Sequence, residues 1–284
     1  VHACEESAFI AAFFKLFFSF RLVYDMDDVI SFRLRDSGFL RSAIVLSLAR
    51  KIEIRTLRAS DSVLTNSLNT PQYASRFKPK GVIFYDHIPN LPDAYASSSA
   101  AGRTPKTDIK TIIYAGNLEP YQGIDLLLES LALLFEQMPG RCIVIGGEQP
   151  QITAYKVKAL KLGLSGKIEW TGKLDIEETF EKLVMADVLV SPMTQDKAVP
   201  SKVYLYMAAC RPIVATDTSN HAYLLRDGSG IIVPPEPGAF AKGLLKVLKD
   251  PVLSQALSSK AYLAFQNILN GTNLSVHLKQ AYNI

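Results

Sequence analysis

Lys202 stands at the start of the run Pro200-Ser201-Lys202-Val203-Tyr204-Leu205-Tyr206-Met207-Ala208-Ala209, which reads as a helix opened by proline and serine. A cation in the first turn opposes the helix dipole, so a bound anion would account for it. The structural alternative is an exposed lysine snorkelling away from the core. A second candidate is the turn Gly116-Asn117-Leu118-Glu119-Pro120-Tyr121-Gln122-Gly123, which leads into a long apolar helix. Glycines there allow close backbone approach, and a helix start attracts phosphate, although an αβ connection that merely needs glycine would look the same. Asp25-Met26-Asp27 spells a carboxylate pair of the kind that holds a divalent metal on a diphosphate. The favoured reading is strand-end carboxylates capping the next helix, with no metal. His2, His87, His221 and His277 are scattered without paired-ligand spacing, and His221 is the one expected on a functional loop after a strand.

These residues need strand ends to carry them, and the chain supplies strands. From residue 109 it alternates apolar β runs with helical stretches: IKTIIYAG, CIVIGG (142–147), KIEWTG (167–172), DVLVSP (187–192), RPIVATD (211–217) and GIIVPP (230–235). Ile124, Leu127, Leu128, Leu131, Leu134, Phe135 and Met138 follow the helical period between the first two. Strand alternating with helix predicts a parallel, doubly wound sheet, whose ligands bind beyond the carboxyl ends of the strands. The first hundred residues show the same grammar more faintly, with a helix at 6–20 and strands at RLVYDM, DSVLTNS and GVIFYD. The opening residues read as the end of a strand entering a turn, so this half is expected to begin mid-domain, leaving apolar surface of the 6–20 helix unpaired. The expected organisation is an incomplete N-terminal Rossmann-like domain at 1–95, a Pro/Ser/Ala/Gly-rich linker at 96–108, a complete Rossmann-like domain at 109–260, and a helical segment at 261–284 packing back on the first.

Composition bounds the function. The 284 residues are 48% hydrophobic and 20% charged, an ordinary globular balance, and the net charge of +4 is too small and scattered for a nucleic-acid surface. Cys4, Cys142 and Cys210 lack metal-site spacing and suit a reduced, cytoplasmic setting. Ala8 to Phe20 is apolar but contains Lys15 and is too short to span a bilayer. A buried helix on a parallel sheet is expected there; an interfacial helix touching lipid is the alternative.

PSKVYLYMAACRPIVATD resembles the donor-site helix and strand of family-4-like GT-B glycosyltransferases, and YAGNLEPYQGIDLLLESL, IVIGGE, IEWTGKL and GSGIIVPP resemble that family's other C-domain elements in order. The resemblance extends more weakly through VHACEESAFIAA, RLVYDMDD and ASDSVLTNS. It implies an α/β GT-B fold of two Rossmann-like domains. It also implies metal-independent, retaining transfer of a sugar from a nucleoside diphosphate sugar to a glycan, lipid or other acceptor, with no cofactor. Donor contacts would fall on Gly116, Asn117, Gln122, Gly146, Gly147, Lys173, Lys197, Pro200, Ser201, Lys202, Tyr204 and Leu205, and the catalytic residues on Lys202 and on Asp27, which stands where the family often has a His at the end of a strand. Four donor-site positions also depart from the pattern: Asn117 and Gln122 replace an Arg and a Lys, while Lys197 and Leu205 replace two acids. A non-catalytic nucleotide-sugar-binding protein is therefore the rival reading. A peripheral contact at the inner membrane face is compatible with either.

Overall fold

The computed structural model describes residues 1–27, 29–36, 42–77, 79–86, 88, 109–196, 199–271 and 274–282. The expected linker at 96–108 lies outside them. The chain divides into two compact units, one of Val1–His87, Lys197–Val199 and Asn270–Ile284, the other of Ile88–Asp196 and Pro200–Leu269.

The first unit carries a parallel four-stranded sheet, β1 (His2–Cys4), β2 (Val23–Asp25), β3 (Ser62–Thr65) and β4 (Val82–Phe84), in that order. Helices α1 (Glu6–Phe14), α2 (Ile30–Asp36), α3 (Ala43–Ala59) and α4 (Thr70–Ser75) connect the strands. Leu22, Val23, Tyr24, Val63 and Leu64 are buried, as befits strands covered on both faces.

The helix expected over 6–20 ends instead at Phe14. Lys15 turns inward to donate to the Ala59 carbonyl at 2.7 Å and to pair with Asp61 at the mouth of β3, which ties the chain down where the helix would have continued. The expected burial of this helix is also corrected. Only Ala8 of α1 is fully buried, with Ala11 and Ala12 packed partly beside it, whereas Ile10, Phe13, Phe14, Leu16, Phe17 and Phe18 are exposed. The helix is apolar all round, so its pattern could not choose a face. Close packing did so, by seating the small alanines against the sheet and turning the phenylalanines outward.

The second unit carries six parallel strands, β5 (Lys110–Ala115), β6 (Gly140–Ile145), β7 (Ile168–Gly172), β8 (Val188–Ser191), β9 (Ile213–Thr216) and β10 (Ile231–Val233). Their order is β10-β9-β8-β5-β6-β7. Counted from β5 this is 3-2-1-4-5-6, the dinucleotide-fold order, with its switch point between β5 and β8. Helices α5 (Ile124–Phe135), α6 (Gln149–Lys161), α7 (Ile176–Leu183), α8 (Ser201–Ala208), α9 (Ser219–Leu224), α10 (Pro237–Lys249) and α11 (Pro251–Gly271) follow. Ile124, Leu127, Leu128, Leu131 and Leu134 of α5 are fully buried in the core, as their spacing predicts. A last helix, α12 (Leu274–Tyr282), belongs to the first unit and packs against β3, where Ser62 Oγ donates to the Ala281 carbonyl at 2.8 Å. Among the described residues no helix is long and apolar enough to cross a membrane.

Candidate functional site

The turns that leave β5, β6 and β8 meet at the switch point. Gly116 N–H donates to the Ile145 carbonyl at 2.9 Å, and Gly146 N–H to that of Gly172 at 2.7 Å, so the loops after β5, β6 and β7 are stitched edge to edge. Gly146 has φ +108°, and a Cβ on it would lie 2.1 Å from the Gly116 carbonyl oxygen. Gly147, with φ +85°, leaves no room for a Cβ beside the Leu118 side chain, the nearest atom at 2.4 Å. Glycine here therefore serves close backbone approach.

Lys202 reaches this junction from the first turn of α8. Its side chain is buried rather than snorkelling outward, which removes the exposed-lysine alternative. The ammonium donates to Gln122 Oε1 at 2.5 Å and to the Tyr114 hydroxyl at 3.3 Å, and stands 4.4 Å from the centre of the Tyr114 ring. Every one of these partners is neutral. Burial consequently pushes the lysine pKa down to about 7. Among the described residues the cation is held by dipoles and a ring face, an arrangement that leaves its charge uncompensated.

Tyr114 is the residue that the sequence did not flag. It sits within an apolar β run and reads as core, yet its hydroxyl donates to the Asn117 carbonyl at 2.6 Å and supports Lys202. The only signal in the sequence is position, two residues before the loop glycine. Tyr206 has a comparable supporting role: its hydroxyl accepts from the Ala115 N–H at 2.7 Å and donates to the Ala115 carbonyl at 3.2 Å, fixing the end of β5 from α8.

The other candidates divide. Asn117 is exposed and its Oδ1 accepts from Glu119 N–H at 3.3 Å, while Gln122 is buried against Lys202. Lys173 follows β7 at the surface and pairs with Glu148 beyond Gly147 at 2.5 Å. Pro200 precedes α8, Ser201 is exposed, and Tyr204 and Leu205 are buried on the helix. Lys197 lies outside the described residues. Asp27 belongs to the first unit and is exposed just past β2. Neighbouring Asp25 takes His2 and the Tyr85 hydroxyl. His221 is corrected: rather than sitting on a loop it is fully buried in α9, with Nε2 2.8 Å from Ser191 Oγ and Nδ1 2.8 Å from the Thr216 carbonyl. That carbonyl can only accept, so Nδ1 donates and Nε2 accepts from the serine. Burial, the largest influence, holds the imidazole pKa down at about 4, and the residue braces β8 against β9.

A doubly wound parallel sheet with glycine loops at its switch point is a fold of the Rossmann type. A model of the glycosyl transferases group 1 family matches residues 79–264, and the chain belongs to that family. The phosphatidyl-myo-inositol mannosyltransferase of Mycobacterium tuberculosis is 27% identical over 172 residues, covering 57% of this chain and 44% of that protein. The chain spans about half the length, or less, of the curated relatives it matches. Sucrose-phosphate synthase from Thermosynechococcus elongatus superposes with a TM-score of 0.77 at 19% identity, covering 99% of this chain and 72% of that one. Anabaena HepE, solved with UDP and glucose, gives 0.75 at 14% identity over 97% and 75%. Both are GT-B glycosyltransferases with Rossmann-like domains, and the two parallel sheets described here follow the same plan.

Proposed function

We propose that this protein transfers a sugar from a nucleoside diphosphate sugar to a glycan or lipid-linked acceptor with retention of anomeric configuration, its second unit holding the donor. The observation that carries the reading is the buried Lys202 ammonium, whose partners among the described residues are neutral. Lys202 and the Gly147 amide would bind the diphosphate, with Asn117, Lys173, Lys197 and Ser201 around it, while Gly116 and Gly146, whose N–H groups are bonded to the Ile145 and Gly172 carbonyls, hold the loops in place. As the bond from anomeric carbon to diphosphate oxygen breaks, negative charge grows on the leaving group. A preorganised ammonium in a dry site stabilises that charge without reorganising. The acceptor hydroxyl forms the new bond and its proton leaves with the diphosphate.

A binding-only protein is the second reading, favoured by the neutral Asn117 and Gln122, the latter already engaged by Lys202. A panel of nucleotide sugars, screened by thermal shift and then by product analysis, separates the two. Saturable binding with a glycosylated product is expected, and donor affinity should be the same with and without a chelator. Binding without product would favour the rival. Loss with chelator, restored by Mn²⁺ or Mg²⁺, would overturn metal-independent donor binding.

A peripheral membrane contact belongs to the same reading. Ile10, Phe13, Phe14, Leu16, Phe17 and Phe18 are exposed together, and α3, packed on α1, adds the exposed cations Arg50, Lys51, Arg55 and Arg58. Aromatic anchors beside cations suit anionic headgroups. The protein should co-sediment with phosphatidylglycerol vesicles, and F17S/F18S should reduce the bound fraction severalfold. Failure of the unaltered protein to sediment would remove this part of the proposal.

A further inference from the structure

At the carboxyl end of the first sheet, parallel register sets Cys4 opposite Asp25. The two-residue period of a strand puts His2 on the same side of β1 as Cys4. His2 Nε2 lies 3.3 Å from Asp25 Oδ2 and Cys4 Sγ 3.9 Å from the same oxygen, with all three atoms within 4.8 Å of one another. Around a tetrahedral zinc ion, with bonds of about 2.0–2.3 Å, ligand atoms stand roughly 3.3–3.8 Å apart. We propose that His2 Nε2, Cys4 Sγ and Asp25 Oδ2 form a binding site for a divalent cation of the zinc class, with the fourth position left to water.

The surroundings are those such a site needs. His2 Nδ1 is 2.8 Å from the Tyr282 hydroxyl of α12, so the far nitrogen has a partner for its proton while Nε2 faces the other two ligands. The Tyr85 hydroxyl donates to Asp25 Oδ1 at 3.3 Å, which leaves Oδ2 for the cation. Glu5 and Asp27 bring further negative charge to the neighbourhood of Cys4. Binding sends the Cys4 thiol proton to solvent. Thiolate, carboxylate and neutral imidazole then balance the two positive charges of the ion. The ion would tie β1 to β2 and, through Tyr282, to α12. The thiolate selects zinc over magnesium, and the site is separate from the donor-binding reading, which concerns the other unit.

The test uses the whole chain with Zn²⁺ or Co²⁺ alone. Cobalt should give a sulfur-to-metal charge-transfer band that Cys4→Ser abolishes. His2→Gln and Asp25→Asn should each weaken binding tenfold or more, and Tyr282→Phe about tenfold, as expected for an outer partner. Cys142 and Cys210 are buried, so a thiol reagent acting on the native protein reports on Cys4. One equivalent of Zn²⁺ should protect it and raise the melting temperature. A band that survives Cys4→Ser, or a Cys4 that reacts equally fast with and without Zn²⁺, would overturn the site. Circular dichroism of each variant separates lost ligation from lost folding.

Discussion

Replacing Lys202 with methionine should weaken nucleotide-sugar binding tenfold or more and yet raise the melting temperature of the ligand-free protein. A charged hydrogen bond contributes about 1.5–3 kcal/mol and a tenfold change in affinity corresponds to about 1.4 kcal/mol, which sets the expected loss. The stability gain comes from the other side of the same geometry. The ammonium is buried against the Tyr114 ring and Gln122, with no carboxylate bonded to it among the described residues, and its pKa is pushed down to about 7. An unfolded lysine titrates at about 10.4. Between those values the unfolded chain binds the extra proton, so this group's contribution to stability rises with pH from about 7 to about 10.4, and its penalty is fully present below 7. Methionine removes a penalty of about 1–4 kcal/mol, most visibly at pH 6–7.

Donor binding has the opposite sign, because a diphosphate selects the protonated lysine. Affinity should be greatest below pH 7 and fall by up to tenfold per unit above it, whereas Lys202→Met should bind weakly at every pH. Titration calorimetry at pH 6.5 and 8.5, with UDP-glucose as probe, measures both effects. Equal donor affinity in the folded variant would mean that Lys202 does not meet the phosphates.

The second large effect is expected at Gly123, where alanine should destabilise the second unit by about 3 kcal/mol or more. Gly123 has φ +74° and caps the start of α5, and an added Cβ would lie 1.9 Å from the Pro192 carbonyl oxygen beyond β8. Left-handed strain costs about 1 kcal/mol, and overpacking against backbone a further 1–3 kcal/mol. Gly163 provides the control, since it has φ +71° but nothing within 4 Å of an added Cβ. Gly163→Ala should cost about 1 kcal/mol. Urea unfolding of the two variants isolates the steric part, and equal losses would mean that the β8 loop yields freely.

Local pattern determined much of this protein. Strand runs alternating with helical periods specified a parallel sheet, and β5 to β10 lie within two or three residues of the runs that encode them. The α5 leucines at helical spacing are the ones that entered the core. The Lys202 anomaly was also legible, because a cation at a helix start is locally unfavourable and asks for a partner.

What the sequence left undecided depended on contacts between distant segments. Tyr114 and Gln122 meet Lys202 across sequence separations of 88 and 80 residues, and no spacing rule announces that. His221 looked like a loop residue until α9 folded it beneath β8 and β9, where the Ser191 hydroxyl and a carbonyl satisfied both ring nitrogens. His2, Cys4 and Asp25 have no metal-ligand spacing along the chain, and only the parallel pairing of β1 with β2 sets them side by side. The α1 segment shows the same limit. Its composition fixed that it would be apolar, but a helix apolar on every side carries no direction, and packing against the sheet chose the alanine face and left the phenylalanines in solvent.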